Sequence, residues 1–383
     1  VLAAGQKIDL PVALSVLKLS LPRETHLRNW FYYGPEQIEG FYGPGSAAVE
    51  ASFRRMAHDH RMNLAPEYYP PADAAKREAW WQEQRGWLTG QAFESGPCAG
   101  AAPTTVPIGL PERDEATVKA AARGAVALGR EHGLADRLLL YGYDEPNDRA
   151  AYDTVRQLGR WVDEAVGSRL PMMVTEAIAP QDPSWGSLEP AVDIFCSPQS
   201  SSVDMRRWHE RGGQVWVYNG GLAGPGLIDC PLTGVAAWGP CAWRFDLDGW
   251  FQWDTLYWRQ KHVGAEHLTD LYVEPLTFDE TLRRRPDGSA YPARDALRLN
   301  GDGVWFYPGE PVGRSGPVAT LRAKAFRRGA QDYEYLWLLA QRGQRLRAGE
   351  LARRLSLGRF AYETDADAYA MMRAEAARLL LGE

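Results

Sequence analysis

Two adjacent carboxylates, Asp144 and Glu145, hold the most specific chemistry in the sequence. They end the run Arg137-Leu138-Leu139-Leu140-Tyr141-Gly142-Tyr143 and stand directly before Pro146. Consecutive large apolar residues without polar alternation are what a strand covered on both faces requires, so the run predicts a buried parallel strand that delivers the pair to a loop. Gly142 is expected to permit a close approach to the backbone. Pro146 disfavours a helical Glu145 and predicts an extended pair whose side chains diverge, one inward and one toward a ligand. Mutual repulsion and partial burial would keep one carboxyl protonated while its better-solvated neighbour stays an anion, the arrangement that acid catalysis needs. Glu145 is the expected acid and Asp144 the expected anion. The competing reading is a surface turn that opens the next helix, with Asn147 or Asp148 as its N-cap.

The elements that must position the pair are legible as an alternation. Strand candidates at 12–21, 62–65, 105–110, 172–175, 192–196, 215–218 and 248–253 join the pair's own strand. Between them lie helical patterns at 46–60, around Trp80, Trp81 and Trp87, at 112–132, after Pro146 and at 231–245. Tyr152, Val155, Gly159, Val162 and Val166 form one face of the helix after Pro146. Strands alternating with helices pair in parallel through crossovers, and eight of them favour a closed (β/α)8 TIM barrel over an open sheet. The aromatic cluster Trp30-Phe31-Tyr32-Tyr33 reads as a loop walling a pocket. Gly220 to Gly226 lacks a Gly-Lys-Ser/Thr ending and reads as a flexible loop at the barrel mouth. The expected layout is a barrel over 10–300 and a C-terminal strand and helical extension over 301–383, with 1–9 as a remnant of an upstream domain. In the extension, 303–307 reads as a strand and 318–342 as a long helix burying Leu321, Ala325, Tyr333, Leu336 and Leu339. The last helices turn Arg353 and Arg354 to solvent.

Composition narrows the function classes. With 45% hydrophobic and 24% charged residues and a net charge of -6, the chain lacks the basic excess that suits a polyanion, so nucleic acid is not an expected partner. Fifteen Trp and seventeen Tyr supply flat faces of the kind that stack on sugar rings, although most must serve the core. Cys98, Cys196, Cys230 and Cys241 show neither Cys-x-x-Cys spacing nor disulfide-scaffold density. No run approaches the roughly eighteen apolar residues of a membrane span. No charged-then-apolar leader is present, and a chain opening on Val1 leaves a removed leader or an upstream domain open.

Three ordered motifs carry a family resemblance. Leu140 to Pro146, then Gln214-Val215-Trp216-Val217-Tyr218, then Ala242 to Trp253, together with Gly301-Asp302-Gly303, Leu321 to Ala325 and Asp332 to Leu336, resemble the catalytic domain of glycoside hydrolase family 123 and the related DUF4091 proteins. The likeness runs from about Leu10 to about Arg342. It implies a (β/α)8 barrel that hydrolyses terminal β-linked N-acetylgalactosamine with retention and without metal or cofactor, the substrate's own 2-acetamido oxygen acting as nucleophile. By position, Glu145 resembles the general acid/base and Asp144 the residue that orients the acetamido group and stabilises the oxazolinium ion. An internal nucleophile removes the need for a second enzyme carboxylate at ordinary retaining spacing. Where related sequences often carry an aromatic, this one has Gln252, which leaves the identity of the sugar open. The resemblance also favours an extracellular or periplasmic setting.

Strand ends supply the remaining site candidates, because barrel sites are built there. Asn63, Glu176, Tyr218, Asn219 and Trp253 meet that criterion, with Tyr143 beside the pair. Trp253 is the expected stacking platform and Tyr218 the expected hydroxyl donor. His58-Asp59-His60 is the one metal-like triplet, since His at i and i+2 on a strand share a face. His132, His209 and His262 do not fall at strand ends, so polar packing is the expected role of that triplet and no metal is assigned. Three functions stay open: a substrate-assisted N-acetylhexosaminidase, a glycosidase on a sugar without a 2-acetamido group, and a non-catalytic glycan-binding barrel. The oligomeric state is not legible.

Overall fold

The computed structural model describes residues 2–3, 6–7, 11, 16–167, 170–258, 271–282, 289 and 296–382. Eight parallel strands form a nearly closed barrel: β1 (Asn29–Tyr32), β2 (Leu64–Ala65), β3 (Val106–Ile108), β4 (Leu138–Tyr143), β5 (Met172–Val174), β6 (Ile194–Cys196), β7 (Gln214–Tyr218) and β8 (Gly249–Gln252). Pairing runs without a break from β3 through β8 to β1 and β2. The remaining seam, between β2 and β3, is bridged by Tyr68 and Ile108, with Tyr68 N–H on the Pro107 carbonyl at 2.9 Å and Gly109 N–H on the Tyr68 carbonyl at 3.0 Å. The connections carry α1 (Pro35–Tyr42), α2 (Ala47–Asp59), α3 (Ala74–Leu88), α4 (Glu115–His132), α5 (Arg149–Val166), α6 (Ser202–Glu210), α7 (Leu232–Ala236) and α8 (Trp238–Phe245). The (β/α)8 barrel expected from the alternation is the fold. None of the helices among the described residues is long and apolar enough to cross a membrane.

One strand differs from the sequence reading. Described residues 16–22 form no strand, and the barrel instead opens with Asn29–Tyr32, the aromatic stretch read as a loop. Aromatic residues suit a strand when both of its faces are covered. Trp30 points inward against Phe251 and Tyr141, with ring centroids 4.6 and 5.4 Å away. Phe31 points outward under Trp305 and Phe326, at 5.3 and 4.8 Å. The outer cover comes from the C-terminal extension, which local sequence does not reveal. Residues 4–5, 8–10 and 12–15 and His262 lie outside the described residues.

The extension consists of α9 (Leu321–Gln341), α10 (Arg345–Leu355) and α11 (Ala366–Leu381), preceded by an antiparallel pair, Phe306–Pro308 with Pro317–Ala319. Thr320 caps α9 by accepting the Ala323 N–H at 3.1 Å, so the helix begins later than expected and Leu321, on its first turn, is 65% exposed instead of buried. The buried face carries Ala323, Phe326, Ala330, Leu336 and Leu339, and also three charges. Arg322 donates to the carbonyls of Gly226, Gly301 and Val304 at 2.7, 2.5 and 2.6 Å. Asp332 pairs with Arg373, and Glu334 holds His26. Arg322, Asp332 and Glu334 thus tie the extension together and latch it onto the barrel, which accounts physically for the last of the family-like motifs. Gly220 to Gly226 is packed under this extension: Trp238 Nε1 donates to the Gly224 carbonyl at 2.9 Å, and a Cβ on Gly226 would meet Trp305 at 2.6 Å.

Candidate active site at the barrel mouth

Strand β4 brings Leu138, Leu139 and Leu140 into the core and ends at the mouth with Asp144 and Glu145. The pairing of β4 with β5 slips between Tyr141 and Tyr143, a bulge centred on Gly142 that re-aims the strand end. A Cβ at Gly142 would come within 2.8 Å of Met172, so the close approach expected there is to β5 and not to a ligand. Asp148 caps α5 by accepting the Ala151 N–H at 2.8 Å, so the turn-and-cap reading and the site reading both describe this segment.

Glu145 is not extended: its φ is 43°, left-handed, immediately before Pro146. Such a conformation costs about 1–2 kcal/mol for a residue with a side chain. It is held from β5, where Thr175 Oγ1 accepts the Glu145 N–H at 2.6 Å and donates its own hydrogen to Asp144 Oδ1 at 2.8 Å. The Tyr141 hydroxyl donates to the same Asp144 oxygen at 2.7 Å. Across the mouth, the Tyr218 hydroxyl donates to Glu145 Oε1 at 2.7 Å. The two carboxylates therefore diverge as expected, Asp144 toward β4 and β5 and Glu145 toward β7. Both are exposed, so neither takes the inward place foreseen for one of them. Each is pinned through one oxygen, and Asp144 Oδ2 and Glu145 Oε2 accept no hydrogen bond from a described residue. Burial, with Asp144 and Glu145 as further causes, raises the pKa of Tyr141 and of Tyr218, so both phenols stay protonated as donors.

The buried carboxyl that acid chemistry calls for lies on the next strand end. Glu176 is 4% exposed, and burial raises its pKa; the Ala177 N–H, 2.7 Å from Oε1, opposes the rise and the charge of Glu145 adds to it. Two carboxyls in two environments are thus Glu145 and Glu176 rather than Asp144 and Glu145. Tyr143 lies half-buried with the Arg113 guanidinium 4.6 Å from its ring centre. Trp253, just past β8, donates from Nε1 to Asp302 Oδ1 at 3.3 Å. Asn219 follows β7 with a left-handed φ of 54°, exposed, its N–H on the Phe251 carbonyl at 3.3 Å.

Asn63 is not brought to this mouth. It precedes β2, receives the Asn29 amide oxygen on its N–H at 2.8 Å and donates from Nδ2 to the Thr105 carbonyl at 2.8 Å. It ties the starts of three strands at the opposite end of the barrel. The His58-Asp59-His60 triplet lies at the end of α2 and not on a strand, so the shared-face argument does not apply. His58 stacks on Phe93 and bonds the Cys98 carbonyl at 2.9 Å, while His60 bonds the Met56 carbonyl at 2.8 Å; burial lowers both pKa values. Among the described residues no group of three His, Cys, Asp or Glu side chains could hold a metal ion.

Residues absent from the sequence reading complete the mouth. Thr175 sits beside Glu176 at the end of β5, and a strand-end criterion applied to hydroxyls as well as charges would have found it. Glu67 follows β2; burial raises its pKa, the Tyr69 hydroxyl at 2.6 Å and Arg113 oppose the rise, and Asp144 adds to it. Asp254, after β8, is buried and accepts from Gln37 Nε2 at 2.7 Å and from the N–H groups of Thr255 and Leu256. Its pKa is pushed up to about 7 by that burial.

The fold has a solved counterpart. A family 123 glycoside hydrolase from Clostridium perfringens, described in a structural study of glycolipid glycan hydrolysis, aligns over 94% of this chain and 69% of its own, with 12% identity and a TM-score of 0.50. At that identity the likeness establishes a common fold. No protein-family model matches the sequence, and no curated protein does.

Proposed function

We propose that the chain is a retaining exo-glycosidase acting on terminal β-linked N-acetylhexosamine, N-acetylgalactosamine first, through an oxazolinium intermediate. The observation that carries the reading is the pair itself: two divergent carboxylates at a barrel mouth, each fixed through one oxygen, the other accepting no hydrogen bond from a described residue. Glu145 protonates the glycosidic oxygen as the acetamido oxygen attacks C1 and the C1–O bond breaks. Asp144 accepts the acetamido N–H and stabilises the positive charge that develops on the oxazolinium ring. Water, deprotonated by Glu145, then attacks C1 and restores the β configuration. Tyr218 orients Glu145, and Trp253 offers a stacking face. The motif resemblance and the common fold with the Clostridium perfringens enzyme support the same reading. Residues 10–300 as catalytic unit and 301–383 as its packed extension belong to this proposal.

A second reading rests on Glu176. Its burial and the charge of Glu145 suit it to protonate a leaving group while Glu145 serves as nucleophile, which would act on a sugar without a 2-acetamido group. A panel of aryl β-glycosides separates the two. Turnover confined to 2-acetamido sugars, with inhibition by a thiazoline mimic of the oxazolinium ion, is the expected result. Turnover of the plain β-galactoside or β-glucoside, insensitivity to the thiazoline and loss of activity in Glu176→Gln would select the second.

A further inference from the structure

A cavity of about 460 Å³ opens beside the catalytic pair, over the carboxyl ends of β1 and β2, walled by Tyr32, Tyr68, Tyr69 and Trp80 and rimmed by Glu36 and Glu67. Two independent features of its chemistry favour a cation. Four aromatic rings present faces and edges around one space, and the face of such a ring attracts an ammonium group within about 6 Å. Carboxylates supply the charge: Glu36, Glu50 and Glu67 all line the cavity. One cation, Arg54, itself lines the cavity together with Glu50, and it is already engaged by other groups. Arg54 lies 3.9 Å from Glu50, donates to the Tyr68 hydroxyl at 2.7 Å and rests on Trp87, and Arg113 covers Tyr143. Gly109 leaves room for the placement of two lining residues, since a Cβ there would strike Glu67 Oε2 at 2.2 Å and the Tyr69 ring at 2.6 Å. Glu67 follows β2 as Asp144 follows β4, so the cavity and the carboxylate pair share the carboxyl-terminal face of the barrel.

We infer that this cavity is a subsite for a sugar residue bearing a free ammonium group, the neighbour of the reacting N-acetylhexosamine on its leaving-group side; the inference rests on the glycosidase reading and names the glycan class it would cut, a partly N-deacetylated amino-sugar chain. The ring stacks against the tyrosines and Trp80, and the ammonium group meets Glu36 and Glu67.

The test compares two disaccharides with the same terminal β-N-acetylgalactosamine, one followed by galactosamine with a free amine and the other by N-acetylgalactosamine. At pH 7 the parent is expected to show a kcat/KM about tenfold higher for the free-amine substrate, from ion pairing and cation–π contact together. Glu36→Gln and the double variant Glu36→Gln/Glu67→Gln should bring that ratio toward one, as should high salt. Because the readout is a ratio within one protein, partial unfolding of a variant does not imitate the effect. A parent ratio of one or less, or a ratio that the variants leave in place, overturns the inference while turnover of the aryl glycoside still upholds the glycosidase reading. If neither disaccharide is cut, calorimetry with galactosamine decides: binding lost in the double variant supports the cavity site, and no binding to the parent ends it.

Discussion

Thr175→Val should disable the site without disturbing its surroundings, because valine keeps the shape of threonine and removes only the hydroxyl. That hydroxyl serves both residues of the pair at once, accepting the Glu145 backbone N–H at 2.6 Å and donating to Asp144 Oδ1 at 2.8 Å from a residue only 3% exposed. A hydrogen bond to a charged group contributes about 1.5–3 kcal/mol. If Asp144 stabilises the oxazolinium ion only when held in place, the loss falls on the transition state and amounts to about 10- to 150-fold in kcat/KM. The left-handed Glu145 before Pro146 also loses the contact that fixes its backbone, so the proton donor drifts as well. Steady-state kinetics on an aryl β-N-acetylgalactosaminide, with a urea melt to confirm that the variant is folded, measures this. The defect should appear in kcat more than in KM, and Thr175→Ser, which keeps the hydroxyl, should stay within about threefold of the parent. A valine variant within twofold of the parent, or a serine variant as impaired as the valine one, would refute the account of Thr175 as the residue that positions the pair.

Three further outcomes are expected. Glu145→Gln should lose about two to four orders of magnitude on poor leaving groups and recover most of it on dinitrophenyl glycosides, whereas Asp144→Asn should show no such rescue; like behaviour of the two variants would remove the division of roles. The buried Asp254 carboxyl has its pKa raised from 3.8 to about 7, so the folded protein holds this proton more tightly than the unfolded chain. Its stabilisation is complete below about pH 4 and is lost as pH rises through 7. Asp254→Asn should flatten that decline in urea melts at pH 5 and 8, with the unpartnered Gln37 Oε1 accepting from the new amide; parallel pH profiles for parent and variant would count against it. Under the proposed substrate-assisted mechanism turnover should survive exhaustive chelation, and restoration of a chelated enzyme by zinc or manganese would reassign the chemistry.

Local periodicity and short motifs made one part of this structure legible in advance. The unbroken Leu138 to Tyr141 run read as a doubly covered strand and the stripe from Tyr152 to Val166 as one face of a helix, so the barrel and the strand end that carries Asp144 and Glu145 were legible. What depends on distant partners was not. Trp30 and Phe31 form a strand because Tyr141 and Phe251 inside the barrel and the C-terminal extension outside it cover the two faces, and those covers lie more than a hundred residues away. Asn63 sits at the wrong end of the barrel for a ligand because three strand starts needed a polar tie there. Burial likewise belongs to the tertiary structure: it left the adjacent pair exposed, gave Glu176 and Asp254 the buried environments, and placed Thr175 where its hydroxyl bonds both residues of the pair. Residue spacing encodes which face a side chain takes, whereas solvent access and charge proximity follow from how the strands close.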